Sequence, residues 1–410
     1  MQRSATDVVV IADDLTGAAE SAAALSNAHP EVPVHLLSQA GTAPRSDPTK
    51  PAVIDTNSRA ATASELPALL ESLRPALAGR DIVVRKVDSL LRGHFAAETE
   101  WMLGLGRPVI VAPALPSAGR AVHQGRVLVR GVPLAETSTW SIELTRPPET
   151  ISKSFSVSSR TLPLDLVRAE PEQLIAAIAE APGIIVCDAE RTDDLRRIAA
   201  AALSFDEPPV LVGAAALVSA VAGELAPTTS STLPPPITTT RVAFIIGTSE
   251  PTARRQIDRL EGIGAAVLRL SPSALLAGDP ALRTEIAHAL AQPVSVVTFD
   301  HASDFDPAKS AELADALAQA IADAPALSPN TSFMLSGGQT ARAVLDRWGV
   351  RALTIRAEVD RGAAQGLTDN GIPVITRPGS FGDADSLVRF ARELSGSTAS
   401  DTSIHREVTR

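Results

Sequence analysis

The chain has 410 residues, of which 45% are hydrophobic and 20% charged, and its formal net charge is −10. That length predicts two domains, or three, at ~150 residues each, and the acidic balance excludes a broad basic field for nucleic acid or anionic lipid, while a local arginine cluster remains able to hold a small anion. Cys187 is the single cysteine, which excludes an internal disulfide, and no apolar run reaches the ~20 residues of a membrane helix.

The N-terminal stretch MQRSATDVVV lacks the apolar centre of a signal peptide, so a cytoplasmic, soluble protein is expected. The first element is DVVVIADD (7–14), an apolar run that meets two adjacent aspartates. PAVIDTNSR (51–59), DIVVRKVD (81–88), PVIVAPALP (108–116) and GIIVCDAE (183–190) read the same way, as buried strands running into polar loops. Alanine-rich stretches at 64–78, 94–105, 172–180 and 192–204 read as helices between them. Buried strands alternating with helices predict βαβ units and a largely parallel sheet. Residues 227–240, PTTSSTLPPPITTT, resist both helix and core packing and are read as a linker. The predicted domains are therefore 1–226 and 241–410. In the second, RVAFIIG (241–247) leads into a helix near 250–262, and PVSVVTF (293–299) is a strand. TSFMLSGGQTARAVLDRWG (331–349) and VITRPGSFGDADSLVRFAR (374–392) each read strand, glycine turn, helix, and the polar tail after Ser395 reads as frayed.

Ligands of open parallel sheets bind beyond the carboxyl ends of the strands. The first half places Asp13, Asp14 and Thr16 at one such end. Asp55, Asn57, Ser58 and Arg59 stand at a second, and Lys86, Asp88, Ser89, Arg92 and Gly93 at a third. Acids, hydroxyls and bases at successive strand ends suit a small polyhydroxylated acid, since carboxylates accept from hydroxyls and Arg or Lys clamps a carboxylate. The plain alternative is capping: Asp14 or Thr16 caps the following helix, and Asp88 or Ser89 the one after it. One cap needs one side chain, so capping leaves one of the two adjacent aspartates unexplained. Lys86 is one of only four lysines. In the second half, SGGQTA (336–341), RPGSFG (377–382) and GTSEPTARRQ (247–256) put glycines where strands turn into helices, as a phosphate cradle requires. Neither a P-loop nor a dinucleotide fingerprint is present. The seven histidines have no metal-ligand spacing. Cys187 and the three tryptophans read as core.

ADDLTGA (12–18), KVDSLLRGH (86–94), APALPSAGR (112–120) with GVPLAET (131–137), SGGQTA and RPGSFG, in this order along nearly the whole chain, resemble the four-carbon acid sugar kinases. The resemblance implies an α/β protein of two domains, each a largely parallel sheet flanked by helices. An N-terminal acid-sugar-binding domain and a C-terminal ATP-binding domain would meet at an interdomain active-site cleft. It implies ATP-dependent, Mg²⁺-assisted phosphorylation of a terminal hydroxyl on erythronate, threonate or a 3-oxo derivative. It places Asp13, Asp14 and Asp88 as catalytic candidates and Thr16, Arg59, Lys86, Ser89, Arg92 and Gly93 on the substrate side. Gly247, Thr248, Ser249, Ser336, Gly337, Gly338, Gln339, Thr340, Gly379 and Ser380 would contact ATP, with no metal held by protein ligands alone. Leu90 stands where the family carries Thr, and Arg377 where Lys is common. One of the three aspartates accepts the proton of the attacking hydroxyl, and the sequence does not choose among them. Lys86 and Arg92 would hold the sugar carboxylate or the transferring phosphoryl. A homodimer is the expected assembly, with no nucleic-acid or membrane partner. Two other readings stay open. A sugar-acid sensor would share the fold without the activity. A dehalogenase-like phosphatase wants Asp-x-Asp where this chain has adjacent aspartates.

Overall fold

The computed structural model describes residue 4 and residues 7–37, 50–137, 140, 146–225, 237–248, 250–300, 309–324, 330–360, 362–379 and 381–395. Ser249, Ser380, most of the 227–240 stretch and the tail after Ser395 lie outside the described residues. The chain divides into two compact units, Met1–Leu233 and Pro234–Arg410.

The first unit is built on β1 (Val8–Ala12), β2 (Val32–Leu36), β3 (Ala52–Asp55), β4 (Ile82–Lys86) and β5 (Val109–Ala112). A small antiparallel sheet follows, of β6 (Arg120–His123), β7 (Arg126–Val129) and β8 (Val132–Pro133), before β9 (Ser159–Leu162), β10 (Ile184–Cys187) and β11 (Val210–Gly213). The main sheet runs β2-β3-β1-β4-β11-β5-β10-β9 with parallel pairings. Because both faces are covered, β1 reads Val-Val-Val-Ile-Ala and is buried at every position rather than alternating. Burying each such Val or Ile contributes ~1.5–3 kcal/mol, which outweighs the modest preferences of the individual turns. The helix Leu15–Leu25 lies against this sheet and the helix Ala215–Glu224. Its run of alanines, buried at Ala18, Ala19, Ala22 and Ala23, removes side-chain bulk and lets the three layers approach.

The order reverses at β1: β2 and β3 lie to one side of it and β4 to the other. A switch of this kind opens a crevice at the carboxyl ends of the strands, so β3, β1 and β4 present their last residues together. The helix predicted over 64–78 is interrupted. Leu66–Glu71 and Arg74–Leu77 are separate helices, and Pro75, which has no backbone N–H to continue the ladder, lies in the first turn of the second.

The second unit contains β12 (Arg241–Ile246), β13 (Ala266–Leu270), β14 (Val294–Phe299), β15 (Thr331–Ser336), β16 (Ala352–Asp360), β17 (Ala363–Thr368) and β18 (Pro373–Arg377). Its order is β13-β14-β12-β15-β18-β17-β16, parallel except where β17 runs antiparallel to both neighbours. Val242, Phe244 and Ile246 of β12 pack with Met334, Ile375, Ile257 and Leu387 into a buried cluster beneath the helices Pro251–Gly262 and Ser386–Leu394. Both units are thus α/β, on sheets that are wholly or mostly parallel. No helix among the described residues is long and apolar enough to cross a membrane.

Candidate functional site

Asp13 follows the last residue of β1 and is 3% exposed. Its Oδ2 accepts from Arg59 Nε at 2.9 Å and Nη2 at 2.7 Å. Its Oδ1 is buried and has no hydrogen-bond partner. Burial pushes the Asp13 carboxyl above its ordinary value, and the neighbouring Asp14 adds to that rise against the pull of Arg59.

Asp14 is the N-cap of the helix Leu15–Leu25, with Oδ1 accepting from Gly17 N at 3.0 Å. Its Oδ2 accepts from Thr16 Oγ1 at 2.9 Å and Arg59 Nη1 at 3.0 Å. Burial works against the charged form here too, but Arg59, Lys86 and these hydrogen bonds outweigh it and hold Asp14 below the usual carboxylate range. The capping alternative is therefore correct for Asp14 and leaves Asp13 for other work. Asp13 and Asp14 tolerate each other because one guanidinium, Arg59, spans both.

Arg59 arrives from the 3₁₀ turn Ser58–Ala60 after β3, whose entry residue Asn57 takes a left-handed φ of 49°. Asp55 Oδ1 accepts from Asn57 N at 3.0 Å and fixes that turn. The third strand end gives Lys86, 6% exposed, and Asp88 and Ser89, both buried. A Cβ on Gly17 would collide with both Lys86 Nζ and Asp14 Oδ1, so the missing side chain is what lets the ammonium stand over the helix start. Asp88 is gripped by Arg92, Nε to Oδ2 at 2.6 Å and Nη2 to Oδ1 at 3.0 Å. Burial opposes its ionisation, yet Arg92, with Arg59 and Arg120 behind it, holds Asp88 well below an ordinary carboxyl. Gly93, at φ +76°, lets this loop pass Arg59, whose Cγ would lie 3.3 Å from an added Cβ. All nine substrate-side and catalytic candidates thus gather at the ends of β1, β3 and β4.

Beneath them lies a group that sequence reasoning missed. Arg85 is 0% exposed and forms a salt bridge with Glu98, and its Nη2 donates to Ser58 Oγ at 3.1 Å. Ser58 Oγ also donates to Glu98. Removing one side of such a buried pair typically costs ~3–5 kcal/mol, so the arrangement fixes the floor under Asp13 and Arg59. The available signal was an arginine inside the buried run IVVRK. Arg120 was also missed: Arg120 Nη1 donates to Ser89 Oγ. His94, by contrast, is tied to the backbone, its Nε2 lying 2.7 Å from Ala61 O.

In the second unit, the ends of β12, β15 and β18 are adjacent, and each opens into a glycine turn. A Cβ on Gly379 would lie 2.6 Å from Thr248 Cγ2, and one on Gly247 would lie 2.9 Å from Thr340 Cβ. Gly337 has φ +99° and is the N-cap of the helix Gly338–Arg347, where no side chain caps the first turn. The backbone N–H groups of Gly338, Gln339 and Thr340 therefore have no partner within the helix. Gly247, Thr248, Ser336, Gly337, Gly338, Gln339, Thr340 and Gly379 are brought together, with Ser336 and Thr340 buried and Gln339 exposed. Backbone this bare at a helix start fits a nucleotide phosphate. Arg377, 2% exposed, lies beneath the RPGSFG turn and donates from Nη2 to Phe381 O and to Gln256 Oε1, the latter at 3.3 Å. Burial pushes its guanidinium down to about 10.

The sequence matches a sugar-binding N-terminal domain over residues 8–221 and a nucleotide-binding C-terminal domain over residues 243–387. It is 31% identical to a D-threonate kinase of Cupriavidus necator, covering 92% of this chain and 96% of that protein. To a D-threonate kinase of Salmonella typhimurium it is 30% identical, over 93% and 96%. A crystal structure from Salmonella typhimurium LT2 shares the fold at a TM-score of 0.77 and 19% identity, over 94% of this chain and 99% of that one.

Proposed function

The chain belongs to the four-carbon acid sugar kinases, and from that premise we propose that its substrate is D-threonate, phosphorylated on the terminal hydroxyl with ATP as donor. The observation that carries the mechanism is the state of Asp13. One carboxylate oxygen is clamped by Arg59 and the other is buried without a partner. A substrate hydroxyl donating to Oδ1 satisfies that oxygen. Asp13, whose pKa is raised, then accepts the proton as the hydroxyl oxygen attacks the γ-phosphorus. The bond to the β,γ-bridging oxygen breaks and ADP leaves. Asp14 and Asp88 are poorer bases, because cap, arginine and hydrogen-bond partners already use their lone pairs. Lys86 neutralises charge beside the acids.

Residues 1–226 take the sugar acid and residues 241–410 take ATP, joined by the 227–240 linker. The glycine turns after β12, β15 and β18 receive the triphosphate, Ser249 and Ser380 among them, and Mg²⁺ arrives bound to its oxygens. Transfer requires hydroxyl and γ-phosphate in line, with water kept from the γ-phosphate. The same reading keeps a cytoplasmic enzyme, with a homodimer as the assembly that light scattering measures.

The test incubates the protein with Mg-ATP and D-threonate, D-erythronate or 3-oxo-tetronate and follows ADP. ADP formed fastest with D-threonate is the expected result. Binding without ADP would make the protein a sensor. Phosphate release from sugar phosphates without ATP would make it a phosphatase.

A further inference from the structure

We propose that Arg120 recognises the carboxylate of the sugar acid and thereby sets which end of the substrate faces Asp13. The inference rests on the kinase reading and assigns a specificity-determining residue within the same site.

The charges at the strand ends fall into two groups. Asp13 and Asp14 share Arg59, and Lys86 stands beside Asp14. Positive and negative groups balance there. In the other group Arg92 spends its fork on Asp88, Nε and Nη2 each meeting one carboxylate oxygen. That geometry already commits two donors of Arg92, the residue that the sequence suggested as a clamp for carboxylate or phosphoryl, to Asp88. Arg120 is the second guanidinium of this group. Its Nη1 donates to Ser89 Oγ, and among the described residues no carboxylate lies within ion-pair distance of it. Partial burial draws its guanidinium down, with Asp88 opposing and Arg92 adding to the fall. A half-buried guanidinium with no carboxylate in direct contact gains when an anion arrives. A sugar acid supplies one carboxylate, whose planar shape matches the guanidinium fork.

The backbone holds Arg120 in place for that task. Leu115 N donates to Arg120 O at 2.8 Å, and Arg120 N donates to Leu115 O at 3.1 Å, pinning the residue to the loop after β5. At the far end of β6, Asp188 accepts from Gln124 N at 2.7 Å and Gly125 N at 2.8 Å. The strand that carries Arg120 is fastened at both ends, so its guanidinium is presented without a large ordering cost. With the carboxylate at Arg120 and Ser89, the hydroxyl end extends toward Asp13.

The experiment compares wild type, Arg120→Met and Arg120→Lys as full chains. It measures kcat and KM for D-threonate and for the uncharged D-threitol, KM for ATP, and D-threonate affinity by calorimetry. In Arg120→Met the KM for D-threonate should rise about 100-fold, with the KM for ATP unchanged. The preference for acid over alcohol should fall by the same factor. Arg120→Lys should recover about a tenth of the loss in affinity, since a point charge replaces a fork. An unchanged acid-over-alcohol preference in a folded Arg120→Met, or in Arg120→Lys if the first variant does not fold, overturns the assignment. If wild type binds D-threonate but forms no ADP, the kinase reading fails alone, and equal calorimetric affinities of wild type and variant would then overturn the role of Arg120. A wild type that binds none of these compounds overturns both.

Discussion

Asp13 has one oxygen under Arg59 and one unsatisfied, whereas Asp14, its neighbour in the chain, has every visible acceptor in use. The difference predicts different mutants. Asp13→Asn should lower kcat by about 10²–10⁴-fold and leave the KM for ATP unchanged. Steady-state kinetics with D-threonate check it, and an unaltered kcat removes Asp13 from proton transfer. Asp14→Asn, still a good cap, should cost far less. The pH profile follows with a definite sign. Asp13 accepts a proton only when ionised, and burial raises its pKa, so kcat/KM should fall as pH drops through that raised value. The acid limb should lie above the ordinary carboxylate range near 3.9 and vanish in Asp13→Asn. In the sequence the three aspartates were legible as candidates and their roles were not. The choice depends on which guanidinium reaches which acid, and Arg59 reaches Asp13 from 46 positions away. The pairing of Arg92 with Asp88 was hidden for the same reason: only the folded loop shows two of its donors closed on that carboxylate.

Strands and the helices that follow them were the most legible features, because a fully buried parallel strand is an unbroken apolar run and needs no partner to be recognised. The antiparallel pieces were not read. Arg120–His123 and Arg126–Val129 are mostly only part-buried and carry arginines, and nothing local reveals that the first of them bridges to Leu115 and Ala189. Arg120 was lost with them. The glycine turns were visible and suggested a shared cradle, and the strand order that makes them neighbours, with β12, β15 and β18 side by side, came from the fold. That convergence makes a specific prediction. Gly379→Ala would put a Cβ 2.6 Å from Thr248 Cγ2 and 2.7 Å from Thr248 Cβ, atoms next to the backbone that have little room to move. The KM for ATP should rise by roughly tenfold or more, equivalent to ~1.4 kcal/mol or more, while calorimetric affinity for D-threonate stays as in wild type. A matching loss of D-threonate affinity would remove this turn from the nucleotide site.

For the molecule as a whole, the net charge of −10 sets the background against which a small anion must be captured. On the proposed reading local arginines do this, as the composition allows. The division of labour between the two units is open to a simple measurement, which follows from the position of the only cysteine. Cys187 ends β10 inside the first unit, is 0% exposed, and burial pushes its thiol up to about 12. It is therefore inert to alkylating reagents until the sheet around it opens, and its labelling rate is a clock for the opening of that unit alone. Saturating D-threonate at 100 times its Kd should slow the clock by about 100-fold where the opened unit recloses faster than it is labelled. A non-hydrolysable ATP analogue given alone should leave the rate unchanged, and an equal slowing by the nucleotide would place its binding site in the wrong half of the chain.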